Sequence, residues 1–498
     1  MKQSILICML CLAGFSPFYA HAQEIYKELD LSTTVQLAND SSLSAFRAKN
    51  SYMASHWEYR SFKANRLPSL SLYMTPISYN RDYTRRYDSE QNIDIYRRQQ
   101  SLYSYGNLAA QQNMDITGGT FFIDSELGYI RNLGDRSYSQ FSSVPIRLGY
   151  RQELVGYNPF KWEKKIAPVK YEKAQKELIY QLEQTAETAT GYFFDLVMAQ
   201  SEHELARENL GSSDTLYSIG EEKFKIASIG QADLLTLKLD RVNAQNSLQN
   251  AEINLKRSMF ALAAYLNLDK NTQIRLILPD YPKDVTVGVE DALMLARENN
   301  PQYLDSKQLI LQSAQTLEKR KIESWFNVGL SASVGFNQIA ESFREVYRNP
   351  LQQDILSLSL SIPLVDWGVR KGKYNMAKNN LNITMLTAQE NEIRLEEDVI
   401  MTVGDFTIQH QLIHSAEEAM ELAKMAYEQT RERFIIGKAD INSLMLSSNR
   451  RQEAQRNYIS ALKNYWQSYF KIRKLTLYDF EKRIPIADTF KWSMTGKL

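Results

Sequence analysis

Apolar and small residues step by four and three along much of this chain, first at Leu178, Leu182, Ala186, Ala189, Phe193 and Leu196. The step returns at Ala244, Leu248, Ala251, Leu255, Met259, Leu262 and Leu266, and again at Ala454, Tyr458, Ala461, Tyr465, Tyr469 and Ile472. That spacing draws one narrow apolar stripe along an otherwise polar α-helix, the pattern of helices packed as coiled coils. The first such helix is predicted from about Lys164 to Ser228, with no proline after Pro168. At 1.5 Å per residue it would reach roughly 100 Å if continuous, far more than a globular helix. Each half reads as a long helix, a turn and a second long helix, so two long antiparallel hairpins are predicted, over 164–269 and 370–480.

The segments ahead of the hairpins change period. Val328, Leu330, Ala332, Val334 and Phe336 alternate with Gly329, Ser331, Ser333 and Gly335, and Leu356, Leu358, Leu360 and Ile362 alternate with Ser357, Ser359 and Ser361. Period two with one apolar face predicts half-buried strands. In the first half Val144, Ile146, Leu148 and Tyr150 alternate with Arg147, Gly149 and Arg151, so the second face carries charge. A lipid-out, water-in barrel wall has this pattern, and a soluble antiparallel sheet shares it. Tyrosine-rich flanks suited to an interfacial belt favour the barrel, and there are too few strands to close one alone.

The two halves resemble each other. Leu37-Ala38-Asn39-Asp40-Ser41 matches Leu295-Ala296-Arg297-Glu298-Asn299 at an offset of 258, while Glu222-Lys223-Phe224, Ala244-Gln245 and Leu268-Asp269 match Glu432-Arg433-Phe434, Ala454-Gln455 and Tyr478-Asp479 at 210. The first half therefore carries 48 further residues between Leu70 and Lys223. They include Leu108 to Ile116, a Thr117-Gly118-Gly119 turn, and Phe121, Ile123, Leu127 and Tyr129 alternating with Asp124 and Glu126, which reads as an added hairpin. Arg81 to Ser104, polar and rich in tyrosine and arginine, reads as an extracellular loop. The organisation expected is a first repeat over 23–269 (helix, strands about 69–153 with the inserted hairpin about 108–131, then the helical hairpin), a linker over 270–287, a second repeat over 288–480 (helix, strands about 327–363, then its hairpin), and a tail over 481–498.

Composition narrows the classes. Lysine and arginine total 59 against 58 acids, which gives no reason to expect nucleic acid as a partner. Lys2, an apolar stretch from Ile5 to Phe18 and Ala20-His21-Ala22 fit a secretory signal over 1–22, cleaved between Ala22 and Gln23. Both cysteines, Cys8 and Cys11, fall inside it, so no disulfide, thiol catalyst or lipid anchor is expected afterwards. No run of about 18 apolar residues follows, so no transmembrane helix is expected.

Candidates for chemistry are weak. His410 and His414 share a helical face at a spacing a zinc pair could use, with Gln411 where a metalloprotease would place glutamate, and His203 falls near the same level of the repeat. The pairs Glu396-Glu397 and Glu417-Glu418 sit in polar helices where charge solvates a face. Gly118-Gly119 lacks the lysine and spacing of a phosphate loop, and no serine lies in a nucleophile elbow. No enzyme, cofactor or metal site is expected.

Ser361-Ile362-Pro363-Leu364-Val365-Asp366-Trp367-Gly368, followed by Arg370, Lys371 and Lys373, is similar to the strand-to-helix junction of TolC-like outer-membrane efflux factors. Its counterpart, Gln152 to Pro159 with Lys161-Trp162, resembles the form in Bacteroidetes members. Phe224 to Leu235 and Phe434 to Leu444 resemble the family's two helical-hairpin tips. The resemblance implies an α+β membrane protein: a homotrimer whose strands share one β-barrel in outer-membrane lipid and whose helices form a periplasmic α-barrel. It also implies a periplasmic adaptor (membrane fusion protein) and an inner-membrane RND or ABC pump as partners. The adaptor would dock at the tips Ile226, Ala227, Ser228, Ile229, Gly230 and Ile436, Gly437, Lys438, Ala439. The family often has aspartates six and nine residues after the second tip glycine; Ser443 and Leu446 stand there, while Ala227 replaces the first glycine and Asp233 keeps the first acidic place. Lys225, Asp233, Lys438 and Asp440 either form a salt-linked gate or solvate the turns. The function implied is the channel component of a tripartite efflux or type I secretion system, conducting from the periplasm or the pump to the exterior; a periplasmic coiled-coil scaffold is the alternative.

Overall fold

A computed structural model of the chain describes residues 26–133, 137–270, 272–281 and 285–489. The signal segment with Ala22 and Gln23, and the tail beyond 489, lie outside the described residues. The chain divides into two compact units, one of Met1–Arg47, Gln181–Val287 and Thr402–Arg473, the other of Ala48–Tyr180, Gly288–Met401 and Lys474–Leu498.

In chain order the elements are β1 (Tyr26–Leu29), α1 (Leu31–Ser41), α2 (Leu43–Ala64), β2 (Ser69–Asp88), β3 (Ile93–Asn113), β4 (Thr120–Asn132), β5 (Tyr138–Val155), α3 (Pro159–Lys225) and α4 (Gln231–Tyr265). Then follow β6 (Gln273–Leu276), α5 (Val289–Asn299), α6 (Pro301–Glu323), β7 (Asn327–Ala340), β8 (Leu351–Ser361), α7 (Val369–Ile435) and α8 (Ile441–Thr476).

The second unit holds a six-stranded antiparallel sheet in the order β2-β3-β4-β5-β7-β8, leaving β2 and β8 as edges. The added hairpin is part of this sheet, joining β3 to β4 across the Thr117-Gly118-Gly119 turn, where Gly118 has φ +77°. The expected loop from Arg81 to Ser104 is instead strand on both sides of a short turn: β2 and β3 stay in register from Ser78↔Tyr103 to Asp88↔Ile93. Its polar residues alternate with other polar residues, so no apolar period marked it, while tyrosine, threonine and isoleucine suit strand backbone. The alternation read from Val144 to Tyr150 is also corrected. Asp124 opposes Arg147 but Glu126 opposes Val144, so β5 carries an extra residue at Pro145 and Val144 turns to the Arg147 face. Proline cannot donate to a ladder and is tolerated at such a bulge.

Helix boundaries shift for local reasons. α3 begins at Pro159, five residues before the predicted start, because Asn158 caps it, its side-chain oxygen accepting the Lys161 N–H at 3.2 Å. Pro168 lies inside α3 rather than breaking it. The predicted linker contains β6, which pairs in parallel with β1 and is held by Gln200, whose amide donates to the Ile274 carbonyl at 2.7 Å and accepts the Leu276 N–H at 3.2 Å. The start of the predicted tail is likewise structured: Ile486 is buried with Ile179 and Leu477.

The first unit is a helical layer. Leu29, Ala38, Ala189, Leu196, Leu262, Leu266 and Ile274 form one core, with alanines where helices approach closely. Tyr265 reaches back to the Thr185 carbonyl at 3.1 Å, and the buried Glu183 is paired with Arg473 at 3.0 Å. In the second unit Asn300, 1% exposed, ends α5 and caps α6, accepting the Gln302 N–H at 3.0 Å and donating to the Leu475 carbonyl at 2.9 Å. Asn300→Ala removes both bonds and leaves a buried carbonyl unmatched, so it should cost about 2 kcal/mol. Thermal unfolding followed by circular dichroism checks this.

Candidate functional site

Strand register sorts the sheet into two unlike faces. Leu70, Ala110, Ile123, Leu148 and Val334 form one row across five strands that ends on β8 at Asp354, and Ala332–Leu356, Leu330–Leu358 and Val328–Leu360 extend the same face with apolar pairs. The opposite face runs Ser71, Ala109, Asp124, Arg147, Gly335, Gln353, with Ser331–Ser357 and Gly329–Ser359 beyond. On β8 both faces are exposed, the leucines as well as the serines. Leu356 is 77% and Leu358 66% exposed, whereas Asp124 on the polar face is 5% exposed.

The polar face is ordered around Arg147. Its guanidinium forks onto Asp124 at 3.0 and 2.5 Å and also reaches Glu126, while Asn107 donates to both carboxylates at 3.1 Å. Gly335 permits the close approach beside it, since a Cβ there would lie 2.6 Å from the Ile146 carbonyl oxygen. Towards the helices this face opens into a cavity of about 1070 Å³, lined by Arg151, Ser331, Ser357, Ser359, Arg370 and Lys373 among others.

The hairpin tips belong to the first unit and share one backbone design. In the first, Ala227 takes φ +52°, its N–H donating to the Phe224 carbonyl at 2.9 Å and the Ser228 N–H to Lys223 at 2.8 Å. In the second, Gly437 takes φ +76°, its N–H donating to Phe434 at 3.0 Å and the Lys438 N–H to Arg433 at 2.7 Å. Both are Schellman ends. Ile226 and Ile436, each just before the left-handed residue, are 75% and 65% exposed. Behind them Tyr427, Phe434 and Leu444 form a small core with Leu216, Ala439 and Ile441.

The four gate candidates are not joined to one another in the bonds they make. Lys225 pairs with Glu222 at 2.7 Å, which holds its ammonium above the usual range. Asp233 accepts the Gly230 N–H at 3.2 Å, and Asp440 caps α8 through the Ser443 N–H at 2.7 Å. Both aspartates thus stabilise helix starts. His410 packs edge-on to Tyr281 and near Tyr465, and among the described residues no group of three His, Cys, Asp or Glu could hold a metal ion. Among those residues no helix is long and apolar enough to cross a membrane.

Known channels share this fold. The CmeC outer membrane channel of Campylobacter jejuni matches with a TM-score of 0.66 at 15% identity, covering 94% of this chain and 90% of that one. The open-state MtrE outer membrane channel of Neisseria gonorrhoeae gives 0.59 at 14%, over 90% and 88%. The outer membrane protein VceC of Vibrio cholerae gives 0.58 at 13%, over 90% and 95%. Residues 293–476 match the family model described as outer membrane efflux protein. Proteins of the family are Gram-negative outer-membrane channels, not enzymes. No curated protein matches the chain in sequence.

Ala227→Gly should raise the local opening free energy by about 1 kcal/mol and Gly437→Ala lower it by about 1 kcal/mol, because only glycine tolerates the left-handed region freely. Hydrogen exchange at the Ser228 and Lys438 amides measures both. The Ser443 N–H holds the Asp440 carboxyl below the ordinary aspartate range. Its capping is therefore complete above the unfolded-state pKa and is lost as pH falls through the lower folded value. A carbon-13 titration of Asp440 should place its midpoint below that of an unstructured aspartate.

Proposed function

We propose that the chain is the outer-membrane channel component of a tripartite efflux or type I secretion system of a Gram-negative bacterium. The sheet's inverted polarity carries this reading. A face of leucine, isoleucine and valine outside, with arginine, carboxylates and serines inside, suits hydrocarbon on one side and water on the other. A periplasmic scaffold would leave Leu356 and Leu358 in water without reason.

The wall is then shared. Six strands with two open edges would close as a barrel of 18 strands in a homotrimer, β2 of one copy pairing with β8 of the next, which removes both edges. The helices support the same assembly. On α7, Leu386, Ile393 and Ile400 repeat every seven residues on exposed surface, as do Met401 and Ile408, a stripe suited to a neighbouring helix. The halves are read as duplicates. Ser42 and Asn300 break helix pairs alike, each N–H bonding a carbonyl four residues back, and Ala227 and Gly437 occupy equivalent turns.

Conduction is passive and gated at the tips, where exposed Ile226 and Ile436 offer apolar anchors to a periplasmic adaptor (membrane fusion protein) linked to an inner-membrane RND or ABC pump. An adaptor that binds the open arrangement better biases the tips towards it. Lys225, Asp233, Lys438 and Asp440 would act there by exchanging their present partners on opening. Electron microscopy of the detergent-extracted protein should give a three-fold tube with a helical stalk and an 18-strand wall. A compact, stalkless monomer would overturn the proposal.

A further inference from the structure

The cavity at the base of the polar sheet face has a one-sided charge. Five cations line it, Arg151, Lys319, Arg320, Arg370 and Lys373, against the carboxylates Glu153 and Glu323. Arg320 is paired with Glu323 at 2.7 Å, and Arg370 has Asp366 at 3.7 Å just outside the lining. Cations still exceed carboxylates by five to three. One of them is held by an aromatic face rather than by an acid: the Arg151 guanidinium lies 4.4 Å from the Phe122 ring centroid, whereas Lys319, 5.8 Å from that of Tyr157, shares Glu323 with Arg320 at 4.0 Å. A ring face positions a cation while leaving its charge uncompensated.

Position makes this useful. Phe122 opposes Gly149 in the register, and a Cβ at Gly149 would overlap the ring, so the glycine makes room for the support beneath Arg151. Ser331, Ser357 and Ser359 supply neutral hydroxyls around the cations. The other charged cluster of this face, Arg147 with Asp124 and Glu126, has its carboxylates committed to one guanidinium and to Asn107.

We infer that this cavity is an anion-binding station on the water-filled side of the wall, taking phosphate or carboxylate groups of passing solutes. The inference rests on the duct reading, in which three copies would set three such cavities in a ring; rings of arginine and lysine select anions.

The test is a planar-bilayer recording of the full-length protein with inositol hexakisphosphate added to either side and spermine as the cationic control. Block by the hexakisphosphate but not by spermine is expected, weakening with salt as a surface field does. The double variant R151Q/K373Q should need about tenfold more blocker, while R151K/K373R, which keeps the charge, should stay near the parent. Steady conductance blocked by spermine alone, or by the hexakisphosphate equally in both variants, overturns the station and leaves the duct standing. Absence of any conductance overturns the duct and the station together.

Discussion

Everything distinctive in this molecule depends on a sheet that gathers long aliphatic rows on one face and the Arg147 charge cluster on the other. In water such a sheet would be unstable, because each exposed large aliphatic side chain forgoes about 1.5–3 kcal/mol of burial. Hydrocarbon removes that loss and adds a demand of its own: every backbone polar group must be satisfied, which forbids open edges. β2 and β8 are open edges in one chain. The apolar outer face and the unpaired edges thus call for the same remedy, a wall completed by further copies.

The polar face answers the opposite difficulty, which in the proposed wall is keeping charges near a low-dielectric medium. Arg147 opposes Asp124 across the β4–β5 pair, so attraction is built into the register rather than left to flexible side chains. Truncating one partner of such a pair strands the other, commonly at a cost of about 3–5 kcal/mol. The bulge at Pro145 serves the cluster by bringing Val144, not Ile146, onto the Arg147 face and leaving Ile146 outside.

The elements easiest to read from sequence were those whose period matched their environment. The stripes through Phe193 and Leu262 marked α3 and α4, and the alternations through Leu330 and Leu358 marked β7 and β8, because one face of each differs sharply from the other. Where both faces are polar the signal vanishes, and residues 81–104 looked like a loop although they extend β2 and β3. Tip turns were legible at Gly437 but less so at Ala227, since alanine does not announce a left-handed backbone. The capping roles of Asp233 and Asp440 and the aromatic support of Arg151 depend on side-chain geometry that spacing alone does not disclose.

The added hairpin has a consequence for the helices. Four strands come from the first half and two from the second, yet each half contributes one long helical hairpin. Barrel diameter grows with strand number, so in the proposed duct two further strands per chain would widen the wall without adding a helix. The strand-to-helix junctions must absorb the difference, and they are built for departure from regular backbone. After β8 the chain turns through Trp367 at φ +54° and Gly368 at φ +87°, with Asp366 accepting N–H groups from Gly368 and Arg370 to start α7. After β5, Gly156 precedes Tyr157, whose hydroxyl accepts from Gln315 at 2.6 Å, and Asn158, which caps α3. These junctions also border the basic cavity, and the one after β8 places Arg370 and Lys373 around it.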